Sequence, residues 1–476
     1  MRGIILAAGR GRRLGKLTLN KPKCLLELNN GETLFSANVK NFKKNNIKKI
    51  ELTSPHSVTI PGSINAWYDM HKQFGKLEFE QLFTRGEQYA RNGYPVYEVV
   101  SKVWKENESK LSQNKFSKQI FLPNGNSPKF GELIKNIPLA DTLKTISKKG
   151  ADGFYKGSVV KDIVESLNAL GGLHTEEDFA EQKTLFSDTI YNNYKNFYIH
   201  QCPLNGPGII VLMMMALIER FDFSNLNPSG FERFHLQTEI TKLCYEFKET
   251  KLGDPNFNNF EINKFLSSDF IDKLYNKISL KKTNNLIKSN VTSHPETIYL
   301  SVVDRDLNSV SFINSICHAF GSGITTNKSG ILLQNRGVNF RLEENHPNMI
   351  DSHKKPLHTI IPGLLTDQNN NSLFCYGVMG GQYQPVGQCQ VLQNIFDFNM
   401  SVQEAIDFPR IFNLNGKLRL EKTIPDETFN LLKDVGHNVE YVNSAIGGGQ
   451  GIIIDRKKGV LIGGSDSRKD GIAIGY

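Results

Sequence analysis

The chain is poor in the residues that would staple it, and it has no run that could bury it in lipid. Six cysteines in 476 residues, with no CxxC pair, argue against a disulfide framework and against a structural zinc site. A reducing, cytoplasmic setting is the expectation. The longest apolar run, residues 208–218, falls short of the ~18 residues of a membrane span. The opening MRGIILAAGR holds only a short apolar stretch with no cleavage site behind it, so no secretory signal is read there. No internal repeat and no long low-complexity linker is present. Hydrophobic residues at 39% and charged residues at 22% suit a globular protein with a sizeable core.

Acidic residues are scarce in one place only. Residues 1–53 hold twelve Lys and Arg against Glu27, Glu32 and Glu51, which accounts for the whole net charge of +9. The remaining chain is balanced, so no nucleic-acid partner is inferred. That asymmetry suggests two pieces of different origin, with a boundary near residues 53–56.

The first piece starts with GIILA at 3–7, a buried strand, and runs into a glycine-rich turn. A helix near 34–45 and a strand at 47–52 follow. Gly9 and Gly11 let the backbone approach a phosphate, and Arg13 and Lys23 supply countercharge. The string LAAGRGRRL followed by KPKCLL resembles the start of the sugar-phosphate nucleotidyltransferases. The resemblance implies a phosphate-handling role for those four residues. It stops at about residue 53, and one strand–loop–helix–strand unit cannot bury a core alone. A vestigial appendage is the expected outcome and nucleotidyl transfer the alternative.

From Ser57 the pattern is helical. Helices are expected at 63–74, around 87–92, and at 97–111, 139–148, 157–170 and 208–220, with a long amphipathic one at 231–250. Thr175 and Asp178 have capping-box spacing. Beyond 296 strands dominate. Residues 298–304 and 309–314 flank an Asp306-Leu307-Asn308 turn, and 452–462 turn at 457–459, two hairpin signals. Helices lie between them at 387–396, 402–407 and 426–435. Helices first and strands later suggest sheets between helical layers.

Thr297 follows a polar loop and opens a strand. A threonine hydroxyl is a poor nucleophile without a base beside it. An α-amino group on the same residue, with a pKa near ~8, is such a base. Freeing it requires the hydroxyl to attack the carbonyl of Glu296 first. Taken alone, a strand threonine is structural.

The surrounding strings are HPETIYLSVVDRDLNSVSF, FGSG, SGILLQNR, KKPLHTIIPG and VMGGQYQP, preceded upstream by SVTIPGSINAWYDMHKQFGKL, GFYKG, GGLHTEEDF, NGPG and LGDPNF. In that order they resemble the γ-glutamyltransferase family of N-terminal-nucleophile hydrolases, over residues 57–476. The resemblance implies an αββα sandwich of the α/β class and a precursor that cleaves itself before Thr297. A 54–296 piece and a 297–476 piece would stay associated. It implies acyl transfer from a γ-glutamyl amide such as glutathione to water or an amine, with no cofactor and no metal. Gly380 and Gly381 match the family's oxyanion hole, where glycine lets backbone N–H groups reach a tetrahedral oxyanion. Ser315 matches a hydroxyl residue beside the nucleophile.

The departures are specific. Asn339 stands where the best-known members hold the substrate ammonium with an aspartate. His358 and Thr359 stand in place of two serines near the γ-carbonyl, and His358 is read either as a general acid or as a packed polar residue. Cys317 replaces an asparagine. The family's early segment, which carries an arginine for the substrate α-carboxylate, has no counterpart before Ser57. A non-catalytic relic that does not mature is therefore the competing reading.

Overall fold

The computed structural model describes residues 49–284 and 297–476. The phosphate-loop residues Gly9, Gly11, Arg13 and Lys23, and the residue before the nucleophile, Glu296, lie outside them. Two compact units emerge: residues 49–186 with Ile316–Pro356, and Ser187–Ser315 with Leu357–Tyr476. The 54–296 and 297–476 pieces are chain segments, and each contributes to both units.

The first unit is helical. Its main helices are Ser63–Phe74, Phe79–Asn92, Ile137–Lys149 and Ser158–Asn168. Local chemistry sets their ends. Asn136 accepts from the Leu139 N–H with Pro138 in the first turn, and Thr175 and Asp178 cap each other as their spacing predicts. Ile64, Ile146, Ile163, Leu167 and Phe179 bury their side chains together with Ile324 and Leu333 from beyond the nucleophile. The helix expected over 97–111 is two helices, Glu98–Glu106 and Glu108–Ser112, broken at Asn107, whose amide donates to the Val103 carbonyl. Residues 52–57, where composition suggests a boundary, form a packed turn. The Leu52 carbonyl accepts from Ser57 Oγ (3.3 Å) and from Asn335 Nδ2 (3.2 Å). Residues 49–52, expected as the end of a strand, carry none.

The second unit is layered. Six strands pair antiparallel in the order Val460–Ser465, Gly448–Asp455, Ser372–Met379, Gly363–Thr366, Phe197–Gln201, Ile190–Tyr194. Phe374, Tyr376 and Val378 join one core with the helices Gly208–Ile218 and Gln384–Phe396. Alternation along the strand turns Gly377 to the other face. There the predicted hairpin, Ile298–Val303 with Ser309–Asn314, lies on the sheet. A Cβ on Gly377 would sit 2.3 Å from the Tyr299 ring, so only glycine admits the hairpin at this depth. Ser311 Oγ donates to the Gly363 carbonyl at 2.8 Å. Helices, a six-stranded sheet and a two-stranded sheet thus give three layers of the expected αββα order. The outward side chains of the hairpin, Ile298, Leu300, Val302 and Val310, are exposed rather than packed under helices.

The helix Phe231–Lys251 departs from expectation. It is buried on almost every side, and Arg233, His235, Glu239 and Lys248 are among its buried residues. Polar periodicity read as a solvated face is here a face packed against polar partners. The Met213–Met215 run is fully enclosed in the core, as its apolar surroundings imply. No helix among the described residues is long and apolar enough to cross a membrane.

Candidate active site

Thr297 sits one residue before the strand Ile298–Val303 and is buried. The hairpin register pairs Ile298 with Asn314, which places Thr297 opposite Ser315. The Thr297 hydroxyl donates to Ser315 Oγ at 3.4 Å. That is long for a hydroxyl pair, and such contacts are commonly loose before a reactive complex forms. The pair expected from the sequence is therefore brought together. In the uncut chain the Thr297 nitrogen is a peptide amide, so the base that would activate Oγ1 does not yet exist.

Gly380 and Gly381 follow the strand Ser372–Met379 directly. Both have positive φ, +126° and +56°, and Gly381 opens a short 3-10 turn to Tyr383. A Cβ on Gly380 would stand 2.9 Å from the Gly447 Cα. Glycine is required twice over here, by backbone sign and by close approach. A turn of this shape exposes successive N–H groups to an anion. Tyr299, two residues after Thr297, packs on Gly377, three residues before Gly380. The nucleophile strand and the glycine turn are thus stacked elements of one unit.

His358 and Thr359 lie on the same unit, ahead of the strand Gly363–Thr366. The His358 ring packs on Gly206 of the NGPG loop, where an added Cβ would be 3.1 Å from Cε1. Its backbone N–H donates to the Asn205 carbonyl (3.2 Å), and its Nδ1 accepts from the Ile360 N–H (3.2 Å). Nδ1 is therefore unprotonated and a neutral ring carries its proton on Nε2. These bonds fix the ring on the NGPG loop and are compatible with either reading, a general acid or a packed polar residue. Thr359 is buried.

Asn339 belongs to the first unit, at the end of the 3-10 turn Arg336–Asn339. Its Nδ2 approaches Cys317 Sγ at 3.8 Å, and its carbonyl accepts from Asn348 Nδ2 at 2.6 Å. Two departures from the family pattern, Cys317 and Asn339, are thus in contact with each other. Cys317 has φ +80° and is fully buried; burial pushes its thiol pKa up, with the nearby Arg336 cation opposing. Sequence reading passed over Arg336. It is nearly enclosed, and burial draws its pKa down from the usual guanidinium value. Its signal was the string NRGVNF, which sets a cation on the same short turn as Asn339. His318 was also missed. Burial holds it at a pKa of about 4, against a bond to Asn335, so it is neutral near pH 7.

A sequence profile described as gamma-glutamyltranspeptidase matches residues 32–476. The chain belongs to the gamma-glutamyltranspeptidase family. The match begins inside the segment 1–53, so residues 32–53 fall within this family's span, and no comparison supports the nucleotidyltransferase-like reading of that segment. A glutathione hydrolase-like YwrD proenzyme of Bacillus subtilis (strain 168) is 32% identical over 432 residues, covering 88% of this chain and 81% of the relative. An oxamate amidohydrolase proenzyme of Klebsiella pneumoniae is 24% identical, again over 88% of this chain and 81% of the relative. Among solved structures, a cephalosporin acylase from Bacillus halodurans superposes with a TM-score of 0.84 at 30% identity, covering 92% of this chain and 82% of that one. The fold is the mixed α/β fold of that acylase, and the chain is an enzyme of the N-terminal-nucleophile hydrolase kind.

Proposed function

We propose that the chain is a threonine-dependent acyltransferase or amidohydrolase that makes its own nucleophile. The observation that carries this reading is the buried Thr297 at a strand start, with its hydroxyl on Ser315 Oγ. Self-cleavage begins when Oγ1 attacks the Glu296 carbonyl carbon. The peptide C–N bond breaks, the acyl group moves to oxygen, and the nitrogen takes up the hydroxyl proton. Water then hydrolyses the ester, leaving a Glu296 carboxylate and a free Thr297 amine. That amine takes the Oγ1 proton when the hydroxyl attacks a substrate amide and passes it to the departing amine. The backbone N–H groups at Gly380 and Gly381 are suited to hold the oxyanion. An acyl ester on Thr297 remains for water or an amine to release. The proenzyme names of relatives support the cleavage step.

Glutathione or a related γ-glutamyl amide is the substrate class that the family suggests. A second reading, an acylase with little need for an α-ammonium group, is favoured by Asn339. Its side chain is an amide directed at a thiol, not a carboxylate. A denaturing gel of the purified protein is the first test. Two fragments divided at 296/297 are expected, and a single uncut band after prolonged incubation would leave the non-maturing relic.

A further inference from the structure

On the second unit, three buried polar side chains and one partly buried lysine converge where the helix Phe231–Lys251 meets the corner before the strand Val439–Val442. They are His235, Glu239, Lys242 and His437. His235, Glu239 and His437 together offer ligand atoms within 4.8 Å of one another, a set a metal ion could use. The geometry argues for protons instead. His235 Nδ1 and His437 Nε2 are 2.8 Å apart, a hydrogen-bond length. Two ligands of a tetrahedral zinc, each at about 2.0–2.1 Å, would be separated by roughly 3.3 Å. Both oxygens of Glu239 are occupied: Oε1 by Lys242 Nζ (2.9 Å) and Thr283 Oγ1 (2.8 Å), Oε2 by the Asn284 N–H (2.9 Å). The Lys242 ammonium also bonds Thr283 Oγ1 and stands 3.5 Å from His437 Nδ1, where a dication would be repelled.

The bonding order fixes every proton. The Ser279 carbonyl can only accept, so His235 Nε2, 2.7 Å away, carries hydrogen. The Lys242 ammonium can only donate, so His437 Nδ1 accepts from it, and His437 Nε2–H donates to His235 Nδ1. The bare atom of His437 is Nδ1, facing Lys242 and Thr283. An added proton has only that place to go, beside an ammonium and away from water. Glu239 Oε1 lies 3.9 Å from His437 Nε2, on the side of the ring away from the added proton, and its own bonds go to Lys242, Thr283 and Asn284. Meanwhile Asn284 is held through its N–H by Glu239, and the Thr283 N–H donates to the Val435 carbonyl at 2.9 Å.

We propose that this cluster is an acid-released latch that ties residues 279–284 to the helix Phe231–Lys251 and to the 435–437 corner. The latch needs only the uncut chain. If cleavage occurs as proposed above, residues 279–284 and 435–437 come to lie on separate fragments, and the latch also ties fragment to fragment; that part rests on the cleavage reading. Burial, then Lys242, then His235 hold His437 at a pKa of about 3, against an ordinary 6.5. The released state therefore binds more protons, and release is favoured as pH falls from about 6.5 towards 3. At pH 5 the opening equilibrium rises about thirtyfold over its value near pH 8, with no further gain below the folded pKa.

The test is hydrogen exchange read by mass spectrometry on the purified protein, with peptides covering 279–284 followed from pH 8 to pH 5. After correction for intrinsic exchange, those peptides lose protection by roughly thirtyfold while the helix Gly208–Ile218 does not. His437→Gln keeps a donor to His235 without the titration and shows a flat profile; if that variant does not fold, the wild-type profile and the histidine nitrogen NMR shifts decide. Unchanged protection in the wild type overturns the latch, as does a charged His437 at pH 6. One equivalent of bound zinc in the protein as purified overturns it in favour of a metal site.

Discussion

If Thr297 and Asn339 act as proposed, the contrast between their surroundings is one of chemistry against recognition. Around Thr297 three of the expected residues are braced in place. The hydroxyl reaches Ser315, Tyr299 is seated on Gly377, and the glycine turn has a backbone that only glycine tolerates. Around Asn339 the expected carboxylate is gone, its substitute touches a buried thiol, and a buried guanidinium sits on the same turn. Acyl transfer needs a nucleophile, a proton carrier and an oxyanion site, and none of these reads the far end of the substrate. The first set can stay intact while the second drifts, and the acyl group accepted can change without changing the reaction.

The largest effect that would break this contrast is at the nucleophile. On the proposed mechanism, Thr297→Ala removes the one hydroxyl that serves both steps. We expect no fragment formation and a loss of amide hydrolysis of roughly 10⁴-fold or more. Thr297→Ser should mature slowly. Cleavage of Thr297→Ala at 296/297 would mean that another group does the work and that the comparison is misplaced.

Gly380→Ala should come next. At φ +126° a side chain is strained, and the added methyl meets the Gly447 Cα at 2.9 Å. The turn must shift, and a misplaced oxyanion donor costs about 10²- to 10³-fold in kcat. KM should move little, because the donor acts on the transition state. A fall in kcat/KM carried wholly by KM would assign the turn to substrate binding instead.

Much of this was legible in the sequence because it depends on local rules. Both hairpins, the Thr175–Asp178 capping box and the helix Ser63–Phe74 follow from turn residues and periodicity. The Thr297–Ser315 pair follows from hairpin register once the turn at 306–308 is recognised. Contacts set by packing at long range were not legible. Cys317 and Asn339 are far apart in sequence, and the family pattern marks each as a departure without joining them. The helix Phe231–Lys251 read as half-solvated because His235, Glu239 and Lys242 are polar. Their partners, His437 and residues 279–284, lie far along the chain, where periodicity carries no information. The 52–57 turn looked like a boundary because composition changes there, yet Asn335 binds it.

The smallest effect sharpens the contrast most. Asn339→Asp restores a carboxylate at the position where the best-known members hold an ammonium. If the recognition side has changed as described, the wild-type enzyme should hydrolyse γ-glutamyl-anilide and glutaryl-anilide at similar rates, since glutaryl lacks the α-ammonium and α-carboxylate groups. A charge-assisted hydrogen bond to the ammonium is worth ~1.5–3 kcal/mol. The new carboxylate must also meet Cys317, whose burial already disfavours an anion, on the same short turn as the Arg336 cation, whose charge would attract it. We therefore expect the lower end, about a tenfold shift towards γ-glutamyl-anilide, in KM rather than kcat. Arg336→Gln in the Asn339→Asp background should enlarge that shift by releasing the carboxylate to the substrate. A wild-type enzyme that already prefers γ-glutamyl-anilide a hundredfold would show that another residue reads the ammonium, and the separation of chemistry from recognition would fail at this turn.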